Sequence, residues 1–376
     1  MTSHALLSAS SSHRWLRCTP SPRLEATLPE PPRRQGQKDY SGEGTLAHSL
    51  SEIKLKHQLG KIESEEYGTE LEIIKQNPLY SQEIEDISDI YVNYVRSQIG
   101  SEDTAIIEAR VDLTEYIPEG FGTADCIILN KNTITVIDLK AGAGIPVSAV
   151  NNEQLRLYSL GAYERYKEEF PTIKEVRTII VQPRLDSISI DGTTIAKLVE
   201  WGKYFVAPKA KKAWTGTGEF VSGEHCQFCR AKATCKARSD FVNEIASLDF
   251  RPAPLLNEEE FRLVLSKASQ LKSYVNDIEE YATQRAVHEN VIPTGFKLVV
   301  PKGHRKISDF ALAETILTEK LGIKKEDLYD VKPKSVPQIT KLGKKGQIES
   351  ALGDLIVRPD SAPKLVPDNS IEDFAG

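Results

Sequence analysis

Residues 122–142 read GTADCIILNKNTITVIDLKAG. Two apolar runs flank NKNT, residues 130–133, whose Asn and Lys content marks a tight turn. The stretch is therefore expected to be a β-hairpin. Asp138 and Lys140 are two apart, so on a strand they project from one face. Asp125 lies on the preceding strand, and pairing brings it near them. Two carboxylates and an ammonium converging at a sheet end are costly to desolvate unless they serve each other or a cation. Carboxylate oxygens suit Mg²⁺ or Mn²⁺. Such an ion can polarise a phosphodiester and acidify a bound water, while a lysine stabilises developing charge. The competing reading is a plain surface ion pair between Asp138 and Lys140.

Working outward, the period of two recurs before the hairpin. AIIEARVDL (105–113) reads as a strand, followed by FGTADCIILN (121–130) and TITVIDLKAG (133–142). Upstream, Gly44 to about Leu59 has helical patterning. Glu83–Ile99 has it more strongly, with Ile84, Ile87, Ile90, Tyr91, Tyr94 and Val95 on one face. Residues 1–20 read as a short helix capped by Ser8 or Ser10, with Trp15 and Leu16 toward the core. Residues 20–42, rich in Pro, Arg and Gly, read as a loop. After the hairpin come an amphipathic helix over 152–170, a strand over 175–184 and a helix over 192–214. The order helix, three strands, helix, strand, helix predicts an α/β core with a mixed sheet.

Beyond residue 240 the pattern is mainly helical. Residues 257–289 form a long amphipathic helix or a pair, with Asn257 and Glu260 as an N-terminal cap. GFKLVVPKGHRKISD (295–309) reads as a strand and a basic turn, in which Lys302, His304, Arg305 and Lys306 are candidate phosphate contacts. A helix is expected from Phe310 to Leu321 and a flexible tail from Arg358. The expected organisation is a core domain over 1–240, an α-rich region over 241–357 and a tail over 358–376.

Five cysteines occur in 376 residues, three of them in HCQFCRAKATC at Cys226, Cys229 and Cys235. Cys18 offers a fourth thiolate. Four thiolates suit structural zinc or a 4Fe–4S cluster, and spacing leaves both open. His225 is a further zinc donor. Cys126, inside a strand, reads as a small buried residue. The N-terminus is a poor secretory signal and no apolar run is long enough to span a bilayer, so a reducing cytosol is the expected setting. The net charge of −6 argues against nonspecific coating of nucleic acid. It leaves room for local basic clusters: Lys203, Lys209, Lys211 and Lys212, then Arg230, Lys232, Lys236 and Arg238.

Taken together, the motifs resemble the PD-(D/E)XK nuclease superfamily, and more narrowly its RecB-like branch with an iron–sulfur cluster. GTLAH (44–48), GTAD (122–125), IDLK (137–140) and QLRLY (154–158) follow that branch's motif order, with one cysteine before the core and three after it. The sequence is also similar to a phage-encoded family of RecB-like proteins. The resemblance implies His48, Asp125 and Asp138 as ligands of Mg²⁺ or Mn²⁺, with the Leu139 carbonyl a further one. It implies Lys140 as the catalytic lysine, Glu108 as an added acidic residue, and Gln154 and Tyr158 as DNA contacts. It favours a 4Fe–4S cluster on Cys18, Cys226, Cys229 and Cys235. One departure is Leu139, where an aromatic usually follows the aspartate. The implied activity is cleavage of DNA, by an exonuclease acting on ends or single strands, in phage or mobile-element replication or recombination. The rivals are a DNA-binding module that has lost turnover and a zinc-stabilised interaction protein.

Overall fold

In the computed structural model, which describes residues 5–29, 39–142, 144–247, 252–299, 310–321, 324–328 and 347–352, the hairpin lies at the centre of a five-stranded mixed sheet. The strands are β1 (Thr104–Asp112), β2 (Phe121–Leu129), β3 (Thr133–Leu139), β4 (Glu175–Gln182) and β5 (Ser187–Thr194), in spatial order β1-β2-β3-β4-β5. All neighbours are antiparallel except β3 and β4. The β2–β3 turn is closed by Asn130, whose Oδ1 accepts from the Asn132 and Thr133 amides at 3.0 and 2.8 Å.

Parallel strands need a crossover, and the helix Glu153–Tyr166 supplies it between β3 and β4. In chain order the helices before the sheet are α1 (Ser12–Trp15), α2 (Ser21–Ala26), α3 (Tyr40–Gln58), α4 (Ser64–Lys75) and α5 (Gln82–Gln98). The crossover is α6. After the sheet come α7 (Ile195–Trp201), a π-helical turn over Gly202–Val206, α8 (Ala207–Thr215), α9 (Lys236–Ala246) and α10 (Glu258–His288). Two apolar cores sandwich the sheet. One joins Trp15, Leu16, Leu155, Leu160 and Leu198 to Ile134 and Val136. The other joins Leu46, Leu50, Ile87 and Tyr91 to Cys126, Ile137 and Leu139. α6 lies so close to β1 that a Cβ on Gly161 would fall 2.9 Å from the Asp112 carbonyl oxygen.

The chain divides into two compact units, Met1–Ala282 and Thr283–Gly376. Within the second, α11 (Phe310–Leu321) falls where the sequence predicts it, and α12 (Gln347–Leu352) is a short turn of helix. No helix among the described residues is long and apolar enough to cross a membrane.

Several expectations need correction. Residues 5–20 hold a 3₁₀ turn (Ala9–Ser11) and the four-residue α1, not one helix. Ser8 does cap the turn, accepting from the Ser11 amide at 3.3 Å. The expected loop over 20–42 contains α2, begun by Pro22 in its first turn, where a missing N–H costs nothing. The helix expected from Gly192 starts at Ile195, because Ser187–Thr194 is an edge strand whose side chains alternate between half-buried and exposed. α4, which the sequence reading left unassigned, has no fully buried residue and rests on the α3–α5 core through half-buried Tyr67, Leu71 and Ile74. No strand forms over Phe296–Val299, which has no pairing neighbour among the described residues. The Asn257 cap is present: Glu260 N donates to Asn257 Oδ1 at 2.9 Å, and Asn257 N to Glu260 Oε2 at 3.0 Å.

Candidate active site and thiol cavity

The site begins where the sheet changes hand. Ala105 and Ile107 of β1 belong to the core under α3 and α5, whereas Ala109 and Val111 belong to the core under α6. Strand alternation would keep all four on one face. The switch is made by Glu108, which holds a left-handed backbone conformation at φ +50°. A non-glycine residue there is strained by roughly 1–3 kcal/mol, a conformation common at functional positions. The register places Asp125 opposite Glu108, and the β1–β2 ladder skips that pair. The β2–β3 ladder also stops short, at Cys126 with Ile137. The Leu139 amide, deprived of a strand partner, donates to Asp125 Oδ2 at 2.7 Å. The strands splay, and acidic side chains fill the gap.

Side chains reach this gap from both faces of the sheet. From α3, His48 Nδ1 lies 3.2 Å from Asp125 Oδ1. Ligand atoms of His48, Glu108 and Asp125 all fall within 4.8 Å of one another, the one such group of donors among the described residues. From the α6 side, Asp138 is 2 % exposed, and Lys140 Nζ stands 2.9 Å from its Oδ2. Gln154 ties the set together. Its Oε1 accepts from Lys140 at 3.0 Å, and its Nε2 donates to Asp138 Oδ1 at 3.1 Å and to the Tyr158 hydroxyl at 3.1 Å.

The electrostatics follow from this crowding. Burial, then the Asp125 charge, pushes the Glu108 carboxyl up to about 7. Burial also raises Asp138, against the pull of Lys140. Burial opposes charge on His48, but Asp125 outweighs it and lifts the imidazole to about 9. Lys140 is likewise desolvated, yet Asp138 holds it charged. These shifts describe an excess of negative charge that seeks a cation.

The donors themselves suit such a cation. Asp138 Oδ2 is buried without a hydrogen-bond partner among the described residues, because the Lys140 ammonium meets it as an ion pair without hydrogen-bond alignment. A buried carboxylate oxygen so placed keeps a lone pair for a metal. One imidazole and several carboxylates are a donor set that Mn²⁺ or Mg²⁺ accepts. The residues fit.

One predicted DNA contact is placed differently from expectation. Tyr158 is 6 % exposed and belongs to the α6 core. Its ring covers Gly122, where a Cβ would meet Tyr158 Cε1 at 2.6 Å. A base cannot stack on a ring covered in this way, so the hydroxyl is what Tyr158 brings to the site. We expect Tyr158→Phe to melt near the wild-type temperature and to lose only the hydroxyl's hold on Gln154. Tyr158→Ala should lose about 3–5 kcal/mol through its cavity, read as a fall in thermal midpoint of roughly 6–20 °C. Equal midpoints for the two variants would show that the ring is not a packing element. Arg305 and Lys306, with Lys302 and His304, lie outside the described residues.

Sequence reading missed two supports of the site. Gln182 is 2 % exposed. It donates to the Gly142 and Ile145 carbonyls at 2.8 and 2.9 Å and accepts from the Val147 amide at 3.0 Å, shaping the loop after Lys140. Arg184 pairs with Glu43 of α3 at 2.6 Å and Glu83 of α5 at 2.9 Å, holding the helix that carries His48. Neither belongs to a periodic pattern, so the signal is absent from local sequence.

Elsewhere, Cys18, Cys226, Cys229 and Cys235 line one small cavity, with Arg14, Lys232 and Arg238 around it. Burial pushes the Cys229 thiol up to about 12 and also raises Cys18, which feels Cys226 and Cys235. No three of these sulfurs approach within 4.8 Å of one another. Residues 14–25 are tied to residues 214–230 around the cavity. Thr19 donates to the Thr217 carbonyl at 2.7 Å, Arg23 to that of Trp214 at 2.6 Å and Arg14 to that of Phe228 at 3.1 Å, while Arg230 N donates to Glu25 at 2.8 Å. His225 Nε2 is engaged at 2.9 Å with the Val221 carbonyl. Cys126 is fully buried in the other core, away from the set.

Comparison with known proteins finds one family model over nearly the whole chain. It is described as "Protein of unknown function (DUF2800)" and matches residues 4–371. Among solved structures, one titled "Crystal structure of SSO0001" matches with a TM-score of 0.25 at 14 % identity, covering 60 % of this chain and 96 % of that one. That superposition is loose, and neither fold nor function is carried across from it.

Proposed function

We propose that this chain, which belongs to the DUF2800 family, is a divalent-metal-dependent deoxyribonuclease of the PD-(D/E)XK superfamily, close to its RecB-like branch. The observation that carries the reading is the splayed gap in the sheet. There a three-donor group (His48, Glu108, Asp125) adjoins a buried Asp138–Lys140 pair with an unbonded carboxylate oxygen. A plain surface ion pair would not strain Glu108 or bury Asp138.

In this reading His48, Glu108, Asp125 and Asp138 hold Mg²⁺ or Mn²⁺, and the resemblance adds the Leu139 carbonyl to the set. The ion, when bound, polarises a phosphodiester and acidifies water. Lys140 supplies a fixed positive charge beside the phosphate, where negative charge grows during attack. Gln154 holds Lys140 and Asp138 in register through two hydrogen bonds. Tyr158 fixes the Gln154 amide from below. The Asp125 bond to the Leu139 amide keeps the strands from closing over the gap.

The cysteines are read as a 4Fe–4S site on Cys18, Cys226, Cys229 and Cys235. Tetrahedral zinc, with Zn–S near 2.3 Å, would draw its sulfurs to about 3.8 Å from one another. The motif order, with one cysteine before the core and three after it, favours the polynuclear cluster instead, which would lock the N-terminal helices to the segment after α8. The setting proposed is phage or mobile-element DNA replication or recombination, in the cytoplasm.

The test is digestion of end-labelled single- and double-stranded DNA with Mg²⁺, Mn²⁺ or EDTA, run beside Asp138→Ala. Cleavage should require the metal, cease in EDTA and vanish in the variant. Equal cleavage by wild type and Asp138→Ala would remove the site from the chemistry.

A further inference from the structure

The lysine-rich stretch after the sheet is not used by the proposed site. It reads WGKYFVAPKAKKAWT over residues 201–215, with four lysines, four aromatics and no acidic residue. In the structure it is one continuous helical rod, α7, the π turn and α8. The π turn begins at Gly202, where the Tyr116 ring lies close: a Cβ there would meet Tyr116 Cε1 at 2.8 Å. A π turn inserts a residue and rotates the following face, a feature frequent at functional positions. Here the rotation leaves Tyr204 79 % exposed and Phe205 41 % exposed, although both are large hydrophobes.

The exposed face has an ordered composition. Arg156 from α6 lies 5.8 Å from the Trp201 ring. Trp201 stacks on Phe205 at 6.2 Å between centroids, with planes 20° apart. Lys209 Nζ sits 4.1 Å from the Phe205 ring. Cation, aromatic, aromatic and cation thus follow one another in a row, with Tyr204 beside them. Lys203, Lys211 and Lys212 are exposed on the same rod. Burial, and the neighbouring charges of Arg17 and Lys212, lower the Lys209 ammonium, as expected where cations crowd without a counter-charge. The nearby acids are engaged elsewhere: Glu153 with Arg17 at 2.8 Å, and Glu164 with Lys167 at 2.6 Å and with Tyr116. Glu200 is the one exposed acid at the end of α7.

We infer that this basic–aromatic rod is a binding platform for single-stranded DNA, separate from the metal-binding gap. Tyr204 offers an open ring face to an unpaired base, whatever its identity, Phe205, flanked by Trp201 and Lys209, offers its exposed edge, and the lysines meet the phosphates. A duplex hides its base faces and leaves Tyr204 and Phe205 without a partner. The inference deepens the nuclease reading and rests on it only for the choice of DNA as ligand. α6 links the two places, since Gln154 faces the gap and Arg156, two residues on, reaches the platform.

The experiment is fluorescence anisotropy with a labelled oligo(dT) of about twenty nucleotides and a matched duplex, in EDTA so that cleavage plays no part. Wild type should bind the single strand more tightly than the duplex, with affinity falling as salt rises. Tyr204→Ala and Phe205→Ala should each weaken binding about tenfold. Lys209→Glu with Lys212→Glu should weaken it and flatten the salt dependence. Because Tyr204 is exposed, its variant should melt as wild type does. Wild-type affinity in both aromatic variants, or tighter binding of the duplex, overturns the platform. Parallel samples with Mn²⁺ in place of EDTA separate the two readings. Platform binding by a protein that never cuts DNA keeps this inference and removes the nuclease. Cutting by variants that bind as wild type does keeps the nuclease and removes the platform.

Discussion

Lys140→Ala is expected to lower metal-dependent DNA cleavage by about 10²–10³-fold or more, the loss typical when a fixed charge-stabilising donor is removed. Mn²⁺ should still bind, because the lysine is not a ligand. The structure adds a second, independent signature. Asp138 is 2 % exposed and Lys140 is its ion-pair partner. Removing one member of a buried pair leaves an uncompensated charge, at a cost of about 3 kcal/mol at the low end of the usual range. Without metal, the variant should melt roughly 6–12 °C below wild type. A divalent ion compensates the same charge, so Mn²⁺ should raise the variant's midpoint more than that of wild type. Calorimetric melts with and without Mn²⁺, beside single-turnover cleavage, decide the matter. Cleavage at the wild-type rate would exclude Lys140 from the chemistry. A metal-free midpoint equal to wild type would show that the Asp138–Lys140 pair is not buried as described.

The hairpin and its acidic residues could be read from sequence because each signal is local. Strand period, the Asn130 turn and the two-residue spacing of Asp138 and Lys140 all sit within about twenty positions. Ends of elements were harder. β5 goes unassigned over Ser187–Asp191, and its last residues, Gly192–Thr194, read as the start of a helix, because it lies at the sheet edge, where only one face is partly covered. α2 reads as loop because the surrounding stretch 20–42 is rich in Pro, Arg and Gly, although Pro22 stands where a helix tolerates it.

The most informative feature of the site was not legible at all. AIIEARVDL looks like an unbroken strand, and nothing in its composition says that Glu108 turns left-handed and swaps the strand between two cores. That conformation is imposed from outside, by Asp125 opposite and by His48 arriving from α3. Gln154 and Tyr158 were identified as neighbours on one helix face, but their division of labour was not. Gly122 explains it, since the missing side chain makes room for the tyrosine ring to sink while its hydroxyl stays in the network.

Cys18→Ser is expected to strip the proposed cluster and loosen the clasp between the first helices and residues 214–235. Wild-type protein purified without oxygen should be brown and carry about four irons per chain. Cys18 is 6 % exposed and lies about two hundred residues from its partners in sequence, yet shares their cavity. A metal centre joining such distant points contributes its binding free energy directly to folding. It also closes a long loop, which restrains the unfolded chain. The hydrogen bonds of Thr19, Arg23 and Arg14 to residues 214–230 remain in the variant. The central sheet should therefore persist while the clasp opens. The expected outcome is loss of iron, a lower melting midpoint and new proteolytic cuts near residues 14–28 and 217–235, with the β1–β5 core protected. Stoichiometric zinc without iron in anaerobic wild-type protein would replace the cluster by a zinc site. Full iron in Cys18→Ser would remove Cys18 from the ligand set, and with it the claim that the centre joins the chain's first helices to the segment beyond α8.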